Sequence, residues 1–213
     1  MRMYKLTAIF VSVIIACSAK AQHAGYTAVK DTAVFKQQFT TASQKISSVQ
    51  SDFIQEKNLS MLSEKIVSKG KFWFKKDNKV RMEYNQPFQY LMILNNNNIY
   101  IKDGQKENKI SASSNKLFQQ INRIVIDCVK GSAFSNTDFT INIFENKQAY
   151  LIELSPVAKN LKDIFKSINV TVDKKDYSVL SIQMNEVSGD YTLINFVNKQ
   201  INASLPDALF TTH

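Results

Sequence analysis

Histidine is almost absent from this chain of 213 residues, because only His23 and His213 occur, close to the two ends. A histidine-centred catalytic triad and a metal site built from several histidines are therefore not expected. The sequence also contains no Gly-x-Ser-x-Gly motif, no Cys-x-x-Cys pair and no phosphate-binding glycine loop. These absences indicate a protein that is not an enzyme and that uses no cofactor.

Acidic residues leave one enzymatic alternative open. Asp52, Glu56, Glu83 and Asp103 lie in segments with strand character, and two of them could act as paired catalytic carboxylates in a hydrolase. The simpler interpretation is that they are solvated charges on strand faces, and we favour it because nothing in the sequence brings two of them together.

Cysteine is also scarce. The two cysteines are Cys17 and Cys128, and Cys17 falls in an N-terminal segment that we expect to be removed. Cys128 would then stand alone, which excludes a disulfide within the chain. We interpret Cys128 as a small buried apolar residue, so the fold must be held together by its core.

Long apolar runs are missing, apart from 12 residues near the N-terminus, positions 6–17. Arg2 and Lys5 precede this run and Ala-Lys-Ala follows it at positions 19–21, which is the pattern of a secretory signal peptide. The run is too short to span a bilayer, so we predict cleavage after Ala21 and export. The alternative is a lipid anchor, because Ile-Ile-Ala-Cys at positions 14–17 loosely resembles the site at which bacterial lipoproteins are acylated on cysteine, here Cys17.

Acidic residues are outnumbered by basic ones, 18 to 27, which gives a formal net charge of +9. Residues 1–21 carry three basic residues and no acidic one, so their removal lowers the charge to about +6. An exported protein rarely meets nucleic acid, so we expect no nucleic-acid partner. Attraction to anionic lipid surfaces or acidic partners fits this compartment better.

The rest of the chain reads as a flexible leader, residues 22–30, and a single domain, residues 31–213. Apolar residues at positions 35, 39, 42 and 46 follow one helix face, with Asp31 or Thr32 as its N-cap. Alternating patterns then predict about ten strands linked by turns, with a bend or bulge at Gly70. The strands are expected at residues 49–59, 61–74, 80–84, 90–94, 99–102, 139–144, 150–154, 164–172, 179–187 and 191–197.

A second helix is expected to interrupt the strands. Leu117, Ile121, Ile124 and Cys128 lie on one helical stripe that Gly131 ends, and a short helical stretch is expected at residues 157–161. Short links between consecutive strands favour up-and-down order. The predicted fold class is mainly β (α+β), an incomplete, strongly curved antiparallel β-barrel with a helical lid or plug.

Apolar side chains are more numerous in the first half than one face of a thin sheet requires. They either fill the core or line a cavity for an apolar guest, and the sequence leaves both interpretations open. The residues concerned are Phe53, Phe72, Trp73, Phe74, Met82, Tyr84, Phe88, Tyr90, Met92, Ile99 and Ile101.

The order of these elements resembles the LolA-like family of periplasmic outer-membrane lipoprotein carriers. The resemblance rests on Ser-x-Val-x-Ser-x-Phe-x-Gln at positions 47–55, on Gly-Lys-Phe-Trp-Phe-Lys-Lys at 70–76, and on Val-Arg-Met-Glu-Tyr at 80–84. Pro87 and the Asp-Gly pair at 103–104 continue it. It covers residues 32–110 well, and the rest mainly by the order of elements and by the ending at residues 207–210.

This resemblance implies a half-open barrel whose apolar interior holds the acyl chains of a lipoprotein during its passage through the periplasm. The implied lipid cavity includes Phe53, Phe72, Phe74, Met82, Tyr84, Tyr90, Met92, Leu117, Ile121 and Ile124. In the family a basic residue before a proline closes the lid. The matching residue is Lys76, although Asp77 stands in place of the proline, and Arg81 is the alternative donor unless it only pairs with Glu83.

The implied partners are acylated lipoproteins, an inner-membrane transporter that releases them and an outer-membrane acceptor, with transient membrane contact and a monomeric carrier. Two alternatives share the fold. One is a membrane-anchored lipoprotein acceptor, which the processing site, Cys17 or Ala21, would distinguish. The other is a lipid-binding or sensor protein that reads exposed acyl chains.

Overall fold

The computed structural model describes residues 23–96, 98–104, 106–111 and 137–211. Twelve strands form one antiparallel sheet within these ranges. The strands are β1 (Thr27–Ala28), β2 (Ser48–Asn58), β3 (Ile66–Lys75), β4 (Lys79–Gln86), β5 (Tyr90–Asn95), β6 (Asn98–Asp103), β7 (Lys106–Ser111), β8 (Phe139–Glu145), β9 (Ala149–Pro156), β10 (Phe165–Asp173), β11 (Val179–Glu186) and β12 (Tyr191–Ile201). The helices are α1 (Thr32–Gln44) and the single turn α2 (Lys159–Lys162), and a 3-10 turn follows at Asp207–Phe210.

The sheet consists of two meanders that meet in its middle. Strands β2 to β7 and β8 to β12 each follow sequence order, and β12 pairs with β2. β1 pairs with β8 at one edge and β7 forms the other edge, so the sheet does not close. The predicted fold class, an incomplete antiparallel barrel, is confirmed. A sheet of this width must curl, because strand twist accumulates from one strand to the next.

One face of the sheet, here called the core face, carries the main apolar core and is covered by α1. Asp31 caps α1, because its carboxylate accepts hydrogen bonds from the backbone N–H groups of Ala33 and Val34, both at 3.1 Å. Phe35 and Phe39, one turn apart, point from α1 into this core and are fully buried. The predicted helix and its cap are thus confirmed.

The opposite face, here called the outer face, carries a smaller apolar cluster. Phe210 and Leu205 of the C-terminal segment pack there against Ile93, with Trp73 beside them. Phe72 and Phe74 point to the core face instead, so β3 has apolar contacts on both sides. Lys75 Nζ and Lys79 Nζ each form an ion pair with Asp207 Oδ1 at 2.9 Å, which holds the C-terminal segment against the sheet. The two lysines lower the pKa of the Asp207 carboxyl to about 2.

Two irregularities change the direction of side chains. The pairing of β3 with β4 shifts between Lys69 and Gly70, which confirms the predicted bulge. A Cβ at Gly70 would lie 2.0 Å from the carbonyl oxygen of Glu83, so no other residue fits there. In β12, Asn198 has a φ of 54°, and the register against β2 shifts between Val197 and Gln200.

Several boundaries differ from the sequence predictions. Residues 61–65, predicted as strand, belong to the connection between β2 and β3, and β7 was not predicted. Thr27 and Ala28, in the predicted flexible leader, pair with Phe144 and Glu145. The short helix begins at Lys159 instead of residue 157. The predicted signal peptide at 1–21 and the helical stripe from Leu117 to Cys128 lie outside the described residues.

Candidate functional site

Seven of the ten predicted cavity residues lie together on the core face. Phe53, Phe72, Phe74 and Met92 are buried in the main core, and the half-buried Met82, Tyr84 and Tyr90 pack against it. The other three, Leu117, Ile121 and Ile124, lie outside the described residues. Alternation along β2 to β5 explains the grouping, because every second residue of a strand points to the same face.

Aromatic rings fill the core face above Gly70. The ring of Phe53 lies against this glycine, 2.7 Å from where a Cβ would stand, and makes an edge contact with Tyr84 at 4.9 Å. The Tyr84 hydroxyl donates a hydrogen bond to Gln55 Oε1 at 2.8 Å. Burial raises the pKa of Tyr84, so this hydroxyl stays protonated at neutral pH.

Among the described residues, two turns of the sheet bond to α1 through side chains. Lys76 Nζ, at the β3–β4 turn, donates to the carbonyl oxygen of Gln44 at 2.6 Å, in the last turn of α1. The Tyr177 hydroxyl, from the β10–β11 turn, donates to Gln38 Oε1 at 2.8 Å. Tyr177 adopts a φ of 58°, a region that non-glycine residues rarely occupy. The predicted latch residue Lys76 therefore contacts a helix that covers the core face.

Arg81, the alternative latch residue, points to the outer face. Its guanidinium contacts Glu83 Oε2 at 2.8 Å and donates to the carbonyl oxygen of Leu209 at 3.2 Å. It also lies over the ring of Trp73, 5.7 Å from the ring centre. These contacts hold the C-terminal segment and place the guanidinium on the side of the sheet opposite α1.

A narrow apolar pocket lies under the C-terminal end of α1, and we call it the inner pocket. It encloses about 20 Å³, room for about one water molecule. Any larger guest therefore requires a movement of α1 or of the lining side chains. The lining residues are Ile46, Val49, Phe72, Tyr177, Ser178, Val179, Ile182, Phe196 and Lys199.

A wide groove of about 740 Å³ runs beside α1, on the other side of Ile46 and Tyr177. These two residues line both spaces, so they form the wall between the groove and the inner pocket. The rest of the groove has a mixed lining, with polar residues such as Gln37 and Lys175 beside apolar ones such as Val34 and Ile201. Moving Tyr177 would join the two spaces.

The acidic candidates for catalysis do not form a pair. Glu56 contacts Lys65 at 3.1 Å and Glu83 contacts Arg81, while Asp52 accepts a hydrogen bond from Asn198 at 2.9 Å. Within the described ranges, no group of three or more His, Cys, Asp or Glu residues could hold a metal ion. Likewise, no helix in the described part of the chain is long and apolar enough to cross a membrane.

Sequence reasoning missed Tyr177, Ser178 and Lys199, three polar residues of the inner pocket. A signal for Lys199 does exist in β12. Up to Phe196, the β12 side chains that point to the core face have even residue numbers. From Lys199 to Ile201 they have odd numbers, because a bulge inserts one extra residue between these two parts of the strand. Tyr177 gives no such signal, because its direction depends on the left-handed backbone of a turn.

These features, a helix laid over the apolar face of an open antiparallel sheet with a pocket beneath it, agree with a family comparison. The family model described as outer membrane lipoprotein carrier protein LolA matches residues 44–213. The chain belongs to the LolA family. Among curated proteins, none matches the sequence.

Solved structures with this fold have little sequence in common with this LolA-family chain. An uncharacterized conserved protein from Thermus thermophilus is 8% identical, with a TM-score of 0.52, over 86% of this chain and 94% of that chain. MucB is 12% identical, with a TM-score of 0.51, over 85% of this chain and 63% of its own. A LolA-superfamily protein from Nitrosomonas europaea is 12% identical, with a TM-score of 0.44, over 83% of this chain and 97% of that chain. The first two support the fold and, at these identities, nothing beyond it.

Membership of the LolA family suggests lipoprotein or lipid binding. Proteins of this family are carriers or binding proteins, which agrees with the absence of catalytic motifs from the sequence.

Proposed function

We propose that this LolA-family protein is a periplasmic carrier that binds the acyl chains of lipoproteins beneath α1 and takes them from the inner to the outer membrane. The observation that carries the proposal is the position of α1. This helix covers an apolar face, and two solvent-accessible side-chain hydrogen bonds tie Gln38, in its middle, and Gln44, in its last turn, to turns of the sheet. Such bonds contribute about 0.5–1.5 kcal/mol each. Moving the helix also exposes the buried Phe35 and Phe39, so displacement requires that a guest cover the apolar face in their place.

The energetics of exchange favour a carrier over a high-affinity store. Burying a chain of about 15 methylenes is worth about 12 kcal/mol relative to water, and three chains would give about 36 kcal/mol. Noncovalent affinities reach a ceiling at about 18 to 21 kcal/mol. The chains leave a bilayer in which they are already dry, so transfer is nearly neutral and the guest can be released again.

An apolar end of the sheet supports transient membrane contact. Connections β2–β3, β4–β5, β9–β10 and β11–β12 leave the sheet at the same end, opposite the Lys76–Gln44 bond, because their strands alternate in direction. Seven of the nine exposed large apolar side chains among the described residues lie there. Exposed apolar side chains concentrated at one end of the sheet are suited to contact with a membrane. Its members are Met61, Leu62, Ile66, Val67, Phe88, Val157 and Val187.

The cavity can be tested with a fluorescent tripalmitoylated cysteinyl peptide as a probe for a lipoprotein N-terminus. Val179 lines the inner pocket and is half-buried, so Val179→Trp should fill the space and weaken binding about tenfold or more, as expected for the loss of about 1.4 kcal/mol. Val197→Trp, on the exposed outer face of β12, is the matched control and should bind as the unchanged protein does. Equal binding by both variants would refute the site.

The proposed partners are the inner-membrane transporter that releases lipoproteins and the outer-membrane acceptor. One alternative is a lipid sensor of the same fold. The other is an anchored acceptor, which differs from the carrier in how the N-terminus is processed. An intact mass that begins at Gln22 supports the carrier, and a mass that begins at an acylated Cys17 supports the anchored form.

A further inference from the structure

Lys199 lines the apolar inner pocket, and its ammonium group lies against Ser178, another lining residue. Lys199 lies just after Asn198, where the bulge of β12 sets two residues opposite Ser51 of β2. The extra residue turns the lysine from the outer face to the core face, and its side chain lines the pocket. A regular strand would place this lysine in solvent, so the bulge is what brings the ammonium group inward.

The contacts of this ammonium group are neutral. Lys199 Nζ donates to Ser178 Oγ at 2.5 Å and to the carbonyl oxygen of Val179 at 3.1 Å, which uses two of its three N–H donors. In the described part of the chain it forms no ion pair, although Asp173 and Asp176 are near enough to act on its charge. Burial lowers the pKa of Lys199 despite these carboxylates.

A lysine in this position is suited to an anionic group that enters the pocket. Ser178 is 4% exposed and its hydroxyl lies beside the ammonium group, so the two can contact the same anion. Phe72, Ile182 and Phe196 supply the apolar wall next to them. The ammonium group of Lys199 at one end and the apolar lining beyond it match a single-chain amphiphile with a carboxylate head group.

We propose that Lys199 and Ser178 bind the carboxylate of a fatty acid whose chain lies along the inner pocket. This inference rests on the proposed function, because it requires that the pocket open to an acyl chain. It goes further in naming the chemistry of the guest, since the ester and amide groups of a lipoprotein's acyl chains carry no charge. Opening involves Tyr177, the neighbour of Ser178, which separates the pocket from the groove beside α1.

The test compares palmitic acid with 1-hexadecanol, which has the same chain length and no charge. Each competes with a neutral fluorescent probe on delipidated protein at neutral pH. The acid should bind about 10-fold more tightly than the alcohol, as expected for one charge-assisted hydrogen bond in a half-buried site. Lys199→Met should remove this preference, and Lys199→Arg should keep it.

Matched variants keep the test independent of folding. Lys166→Met removes an exposed lysine of β10 that lines neither the inner pocket nor the groove, and it should leave the preference unchanged. Ser178→Ala should reduce the preference for the acid about threefold, as expected from the loss of one neutral hydrogen-bond donor. This variant replaces Lys199→Met in the test if Lys199→Met does not fold. Circular dichroism confirms the fold of each variant.

The outcomes separate the two proposals. Equal binding of acid and alcohol by the unchanged protein overturns the carboxylate site and leaves the acyl-chain cavity standing. A preference that persists in Lys199→Met also overturns it, as does tighter binding of lysophosphatidic acid than of palmitic acid. Binding of neither ligand, together with no binding of the tripalmitoylated peptide, refutes the cavity itself.

Discussion

Releasing the bonds from Lys76 and Tyr177 to α1 should increase the apparent affinity for an acylated guest. The change is the double variant Lys76→Met with Tyr177→Phe, which removes the bonds to Gln44 and Gln38 and keeps most of the side-chain volume. Both bonds are solvent-accessible, so each contributes about 0.5–1 kcal/mol to the covered arrangement, or about 1–2 kcal/mol together.

The expected gain follows from population arithmetic. If a guest enters only when α1 has moved, its apparent Kd equals the intrinsic Kd divided by the fraction of open molecules. Removing about 1–2 kcal/mol from the covered form raises that fraction, and hence the affinity, roughly 5- to 30-fold.

Fluorescence titration of the tripalmitoylated peptide measures the affinity, and hydrogen exchange of the α1 amides measures the opening. The control is Lys175→Met with Tyr191→Phe, which removes the same chemical groups. Lys175 makes no side-chain hydrogen bond with another described residue, and Tyr191 lies beside Lys65 at the far end of the sheet. If the double variant shows unchanged exchange in α1 and unchanged affinity, the two bonds do not control access.

Three further changes test the fold and the apolar end. Gly70→Ala should destabilise the protein by about 3 kcal/mol or more in urea unfolding, because the new Cβ meets the Glu83 carbonyl at 2.0 Å. Ser51→Ala should stabilise it by about 1 kcal/mol, because the buried Ser51 hydroxyl has no hydrogen-bond partner among the described residues. Ser48→Ala is its control and should destabilise, because Ser48 Oγ donates to a carbonyl at 2.6 Å. Met61→Asp at the apolar end, where Met61 is 95% exposed, should reduce co-sedimentation with anionic vesicles without changing stability. Contradictory results would be an unchanged midpoint for Gly70→Ala, a loss of stability for Ser51→Ala, or unchanged vesicle binding for Met61→Asp.

The parts of the fold that local pattern determines could be predicted from the sequence. The spacing of Phe35 and Phe39 with Asp31 before them predicted α1 and its cap. Asp77 and Asn78, at φ values of 70° and 57°, form the turn expected between β3 and β4. These features depend on residues close together in the chain, so periodicity and turn chemistry are sufficient.

The missed features depend on contacts between distant segments. The pairing of Thr27 and Ala28 with β8 spans more than a hundred residues, and no local signal predicts it. Met61 and Leu62 fall within a predicted strand, but they are exposed in the connection between β2 and β3. The inward direction of Lys199 depends on how β12 pairs with β2.

Within the candidate site, strand alternation predicts the residues of regular strands but not those at turns and bulges. Alternation along β2 to β5 grouped Phe53, Phe72 and Met92 correctly on one face. The groups that give the site its polarity lie at turns and bulges. Tyr177 and Lys199 are of this kind, and backbone geometry decides where their side chains point.

The most direct test of the carrier proposal is native mass spectrometry of the protein purified from the periplasm without detergent. The proposal predicts a chain that begins at Gln22 and carries an acylated polypeptide, which is lost in Val179→Trp and retained in Val197→Trp. A chain that begins at Gln22 but carries no acylated polypeptide, even after mixing with solubilised lipoproteins, would contradict it and leave the inner pocket as part of an ordinary core.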